Sequence, residues 1–92
     1  MLDVAFTSQF KKDMKRKRKQ GADLAKIDEI ITMLRRGEPL PERNRDHALS
    51  GTYRGHGECH IEPDWLLIYR LDSNLLVLTA VRTGSHGELL GI

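Results

Sequence analysis

The chain has 92 residues, 39% of them hydrophobic and 30% charged, a balance that suits a folded globular domain and excludes disordered and fibrous classes. Its net charge of +2 hides an asymmetry: residues 1–46 carry 12 Lys/Arg against 8 Asp/Glu, while residues 47–92 carry 3 against 5 and all four histidines. No uncharged stretch approaches the roughly 20 apolar residues of a membrane span, the start MLDVAF lacks a secretory pattern, and the lone Cys59 excludes an internal disulfide. One domain over residues 1–92, working in a reducing cytoplasm without a membrane partner, is expected.

Residues 2–6 alternate enough for a short first strand. Thr7 or Ser8 can cap a helix that runs to about Lys19 and is stopped by Gly21. Its apolar stripe, Phe6, Phe10 and Met14, is narrow, and the basic remainder faces water or a polyanion. Asp23 caps a second helix through Arg36, whose core face is Leu24, Ile27, Ile30, Ile31 and Leu34. Gly37, Pro39 and Pro41 end it, and the short link between the two helices makes them a hairpin.

Strand and turn signals fill the rest. A short strand near His47 to Leu49 precedes a half-buried strand from Glu58 to Glu62, broken at Pro63-Asp64. Trp65 to Leu71 and Leu75 to Arg82 read as a hairpin about Asp72-Ser73-Asn74. The predicted class is therefore α+β, a helical hairpin packed on a small antiparallel β-sheet. Residues 83–92 leave the last strand through glycines and present His86.

The histidines carry the candidate chemistry. His60 and Glu62 share a strand face, Asp64 can turn toward it, and pairing about residue 73 sets Arg82 opposite Asp64, which brings His86 toward His60. Imidazole titrates near neutral pH and serves as general acid or base. Two imidazoles, with an Arg or Lys on the phosphate, suffice for RNA cleavage without a metal: one takes the 2′-OH proton, the other protonates the leaving 5′-oxygen. His86 is the first choice as one proton-transfer group, His60 or His47 as the other, and Asp64 as participant or as orienter of His60. His56, between Gly55 and Gly57, reads as a surface residue, and Trp65 as core unless its edge reaches the site. A zinc site through Cys59, His60 and His56 is disfavoured because adjacent strand residues point to opposite faces.

Three segments then match a known pattern: the DH-x-L-x-G turn at Asp46 to Gly51, the H-x-E-P-D-W-x-L-I-Y run at His60 to Tyr69, and R-T-G-S-H at Arg82 to His86. Together with the leading strand and helical hairpin they resemble the YafQ branch of the RelE/ParE-type toxins of bacterial toxin–antitoxin pairs. That resemblance implies the RelE-like microbial ribonuclease fold and a ribosome-dependent endoribonuclease that cuts translated mRNA in the decoding site, leaving a 2′,3′-cyclic phosphate, with no metal and no cofactor. It implies catalytic roles for His47, His60, Asp64 and His86. Trp65, Arg82 and Leu90 would lie against the substrate, Leu90 replacing an aromatic residue of the family. Lys11, Lys12, Lys15, Arg16, Lys17, Arg18 and Lys19 would meet ribosomal RNA phosphates. An acidic antitoxin would mask the site and carry the operator-DNA contact. The rival readings are a non-catalytic inhibitor of DNA gyrase of the ParE type, which gives the histidines and Asp64 no evident role, and a plain nucleic-acid-binding module.

Overall fold

The computed structural model describes residues 1–90, with the Leu90 side chain outside the described part. In chain order it holds β1 (Asp3–Phe6), α1 (Ser8–Lys19), α2 (Leu24–Arg35), a 3-10 turn (Glu42–Asn44), β2 (His47–Ala48), a second 3-10 turn (Gly51–Tyr53), β3 (Gly57–Glu62), β4 (Trp65–Asp72), β5 (Val77–Gly84) and α3 (His86–Leu90). Thr7 and Asp23 cap the two long helices through their side chains, accepting from the Phe10 and Ala25 backbone N–H groups. Among the described residues no helix is long and apolar enough to cross a membrane.

The sheet runs β1-β5-β4-β3-β2. Three of its pairings are antiparallel, as expected, but β1 lies parallel to β5, so the sheet is mixed rather than antiparallel. The reason is topological: the helical hairpin leads from β1 to β2 at the far edge of the sheet, and the antiparallel succession β2-β3-β4-β5 then lays β5 beside β1 running the same way. The helices cover one face with Phe10, Ile27, Ile30, Ile31 and Leu34, which meet Cys59, Trp65, Leu67, Tyr69, Leu78 and Ala80. Alternation sends Glu58 and His60 to the opposite face, beside Ile68 and Leu66.

The β4–β5 hairpin differs from expectation in its turn. The Asp72 carboxylate accepts from the Asn74 and Leu75 N–H groups, and Leu76 adopts φ 56°, so Leu75 and Leu76 belong to an exposed turn and not to the strand. Arg82 consequently pairs with Ile68, and Gly84 with Leu66. Arg82 is not opposite Asp64. His86 is brought to that position instead.

The open end of β5 is closed by side chains. β1 pairs with β5 only as far as Ala80. Thr7 then donates its hydroxyl to the Val81 carbonyl (2.7 Å), and the Asp13 carboxylate accepts the Thr83 N–H (3.1 Å) and the Arg82 guanidinium (2.8 and 3.2 Å). Asp13 is 1% exposed. Burial pushes its carboxyl up, but Arg82, Thr83 and Gln9 together outweigh that and hold it below its ordinary 3.8. α1 is therefore not a solvated basic rod with one apolar edge; it seats a buried carboxylate against the sheet.

Candidate active site

His86 opens α3, and the local sequence explains why a helix starts there. Ser85 Oγ accepts the Glu88 N–H (3.1 Å) while the Glu88 carboxylate accepts the Ser85 N–H (2.8 Å), a reciprocal capping box. Glu88 is also tied to α1 by Arg16 (3.0 Å) and Gln20 (3.0 Å). The segment expected to leave the last strand through glycines thus ends β5 at Gly84 and, from His86, forms a short helix held at its first turn by Ser85 and Glu88.

Asp64, at the β3–β4 corner, receives two hydrogen bonds from His86: the backbone N–H at 2.9 Å and the imidazole Nδ1 at 2.7 Å. With Nδ1–H donating, the lone pair of the neutral ring sits on Nε2. The His86 N–H first and the imidazole second hold the Asp64 carboxyl below its ordinary 3.8. Asp64 orients His86, then, not His60 as the sequence suggested. His60 projects from β3 with its ring centroid 5.6 Å from that of His86, the planes inclined at 60°. Neither the His60 ring nor His86 Nε2 has a hydrogen-bond partner among the described residues. The two rings share a cleft of about 390 Å³ with Arg43, Arg45 and Pro63.

His47 is not in that group. Its Nδ1 meets the Arg45 carbonyl at 2.7 Å and its Nε2 lies 3.4 Å from the buried Glu58, so both nitrogens are engaged. It lines a separate, more open cleft with Asp46, Ala48, His56 and Tyr69. His56 lies in that same cleft, stacked edge-on against Tyr53.

Two expected substrate contacts are corrected. Trp65 is 2% exposed; its indole N–H donates to Thr83 Oγ1 (2.8 Å) and Lys17 lies 5.3 Å above its ring, so no face is left for a base. Arg82 is committed to Asp13. The Leu90 side chain lies outside the described residues. The basic helix is corrected in part. Lys11, Lys12, Lys15, Arg18 and Lys19 are exposed, whereas Arg16 bridges Asp13 and Glu88 and Lys17 covers Trp65.

The residues that sequence reasoning missed are Arg43 and Arg45, hidden in a segment read only as connection, and Glu88, whose Ser-x-x-Glu spacing was a readable capping signal. Cys59 cannot serve as a metal ligand from this cleft: it is fully buried on the helix side, and burial pushes its thiol up to about 12. Among the described residues no three His, Cys, Asp or Glu side chains gather as a metal site.

Residues 2–91 match the family model described as bacterial toxin of type II toxin–antitoxin system, YafQ. The mRNA interferase toxin YafQ of Escherichia coli strain K12 is 39% identical over 90 residues, covering 97% of this chain and 96% of the relative. The E. coli DinJ–YafQ toxin–antitoxin complex contains a chain that superposes with a TM-score of 0.88 at 37% identity, over 98% of both chains. A metal-bound toxin from Helicobacter pylori superposes with a TM-score of 0.93 at 37% identity, over 98% of this chain and 100% of that one.

Proposed function

This chain belongs to the YafQ family of toxins of type II toxin–antitoxin systems, and with that premise we propose that it cleaves translated mRNA on the ribosome, with His60 and His86 moving the protons. It is an endoribonuclease of the mRNA interferase type with an antitoxin as its partner. The observation that carries the mechanism is the pair of imidazoles 5.6 Å apart, one of them fixed by a carboxylate. One imidazole removes the proton of the ribose 2′-OH. The 2′-oxygen attacks phosphorus, the bond to the 5′-oxygen breaks, and the second imidazole, as imidazolium, protonates that oxygen. The products are a 2′,3′-cyclic phosphate and a free 5′-hydroxyl. Every proton transfer in these steps is assigned to an imidazole, so the reading calls for no metal. A chelator selective for transition metals leaves the rate unchanged in this reading.

The open cleft supports the need for a ribosome. A domain of 92 residues whose imidazoles lie in an open surface cleft supplies little orientation of its own, and a message held in the decoding site arrives already positioned. Lys11, Lys12, Lys15, Arg18 and Lys19 present an exposed basic face for ribosomal RNA. Replacing Lys11, Lys15 and Arg18 by Gln is expected to weaken ribosome binding and to flatten its log–log salt dependence by about 0.7–0.9 per lost phosphate contact. Cosedimentation over a salt series measures it; an unchanged slope rejects this face as the contact. The antitoxin, in this reading, is acidic, covers the imidazole cleft or the basic face in the cytoplasm, and carries the operator-DNA contact.

Primer extension on a translated message, with and without ribosomes, tests the whole reading. Cuts that appear only with ribosomes support it. Growth arrest without cuts would instead favour a gyrase-poisoning toxin, and binding without arrest a simple nucleic-acid module.

A further inference from the structure

With Arg82 held by Asp13, the cleavage chemistry lacks the cation that the crowded phosphate requires. The cleft contains two. Arg43 and Arg45 flank its rim, both are exposed, and neither side chain is paired with a carboxylate among the described residues. Arg16 and Arg82, by contrast, are both in ion pairs.

The backbone that carries them is unusual. β2 pairs with β3 at His47↔Glu58 and Ala48↔Gly57, so continuing that register would set Arg45 opposite His60. The ladder stops short of it because Arg45 adopts φ 46° and ψ 49°, the left-handed region that a side chain rarely occupies. Asn44, 4% exposed, holds this geometry: its side-chain amide donates to the His60 carbonyl at 2.7 Å, and its N–H donates to the Pro41 carbonyl. The Arg45 carbonyl in turn meets His47 Nδ1. A non-glycine residue kept in a costly conformation by a buried amide, which is itself bonded to the backbone of a catalytic candidate, points to function more than to folding. Leu76, the other such residue described, lies in a hairpin turn that accounts for it.

We propose that Arg43 and Arg45 form a phosphate-binding site that holds the mRNA backbone against His60 and His86. The site rests on the mRNA-cleavage reading for its substrate. Planar guanidinium groups suit a phosphodiester because they donate two parallel hydrogen bonds and keep their charge at every working pH. Held on a pinned turn, they need little reorganisation when charge builds up on the phosphate oxygens. His47 and Asn44 are then positioning residues, which fix the turn and do not touch substrate.

Two measurements test this. In the first, inorganic phosphate is titrated into the free protein while the ring resonances of His60 and His86 are followed by NMR. The parental protein is expected to shift both resonances, and the double variant Arg43→Gln, Arg45→Gln to lose the effect. In the second, single-turnover cleavage of ribosome-bound message is expected to fall by about 10²–10³ in the double variant, with partial recovery in Arg45→Lys and no change in Arg70→Gln, an exposed arginine remote from the cleft. Unaltered thermal melts establish that the fold is intact. A double variant that cleaves at the parental rate, or phosphate shifts that persist in it, would overturn the proposal while leaving the endonuclease reading in place. Loss of phosphate shifts in the double variant, in a protein that never cleaves message, would keep the anion site and sink the endonuclease reading.

Discussion

His86→Ala is expected to lower single-turnover mRNA cleavage by about 10²–10⁴, the usual effect of losing a general acid or base. The fold should survive, because the ring is partly exposed and alanine keeps the backbone N–H that Asp64 accepts. Growth arrest on expression should disappear while ribosome cosedimentation remains. His60→Ala should show a loss of the same order. The double variant should cost little more than the worse single one, since two groups that move protons in one displacement act as a unit. Asp64→Ala frees the His86 ring and should cost less than losing the imidazole. The rate should be bell-shaped in pH. Asp64 contributes no limb to that profile, because His86 holds its carboxyl below the ordinary 3.8 and it stays ionised near neutral pH. A protein without either imidazole that still cleaves message at the parental rate would end this assignment.

What the sequence discloses about this fold follows from how local each signal is. Thr7 and Asp23 cap their helices through contacts two or three residues away, and Gly21 and Gly37 stop them at φ 80° and 72°, so the helical hairpin was legible residue by residue. The β4–β5 hairpin was legible as a pair of strands, but its register was not: Leu75 and Leu76 look like strand residues, and only the Asp72 side chain turning the chain shows them as loop. Convergence of His60, Asp64 and His86 was foreseen from pairing, and the corrected register brings His86 still closer to Asp64. Long-range features were hidden. Nothing local states that β1 runs parallel to β5, that Trp65 faces a lysine rather than a base, or that the arginine of the R-T-G-S-H segment is already paired. Arg43 and Arg45 were invisible for a related reason. Their role depends on a left-handed residue and a buried asparagine, which no hydrophobic period reports.

Asp13→Ala is expected to be the most damaging single change to stability. The carboxylate is 1% exposed and serves Arg82, Thr83, Gln9 and Arg16 at once. Truncation leaves the Arg82 guanidinium, only 22% exposed, without its anion and the Thr83 N–H without an acceptor at the end of β5. Breaking a buried pair this way costs about 3–5 kcal/mol, a large share of the roughly 5–15 kcal/mol that holds a domain of this kind together. At about 4–8 °C per kcal/mol for a domain this small, the melting temperature should fall by more than about 10 °C. The pH dependence has a definite sign. A carboxyl whose folded pKa is depressed contributes stability that is complete above its ordinary 3.8 and is lost as pH falls through the lower folded value. The parental protein should therefore lose stability on acidification below about pH 4, and Asp13→Asn should flatten that loss. Replacing both partners, Asp13→Leu with Arg82→Met, should be milder than Asp13→Ala, because it removes the pair without stranding a charge. Urea unfolding at neutral and acid pH measures all of this. A parental melting temperature for Asp13→Ala would show that the edge of β5 closes without the carboxylate. The consequence reaches the active site: Gly84, Ser85 and His86 follow directly on Thr83, so a frayed β5 would also release the ring that Asp64 holds.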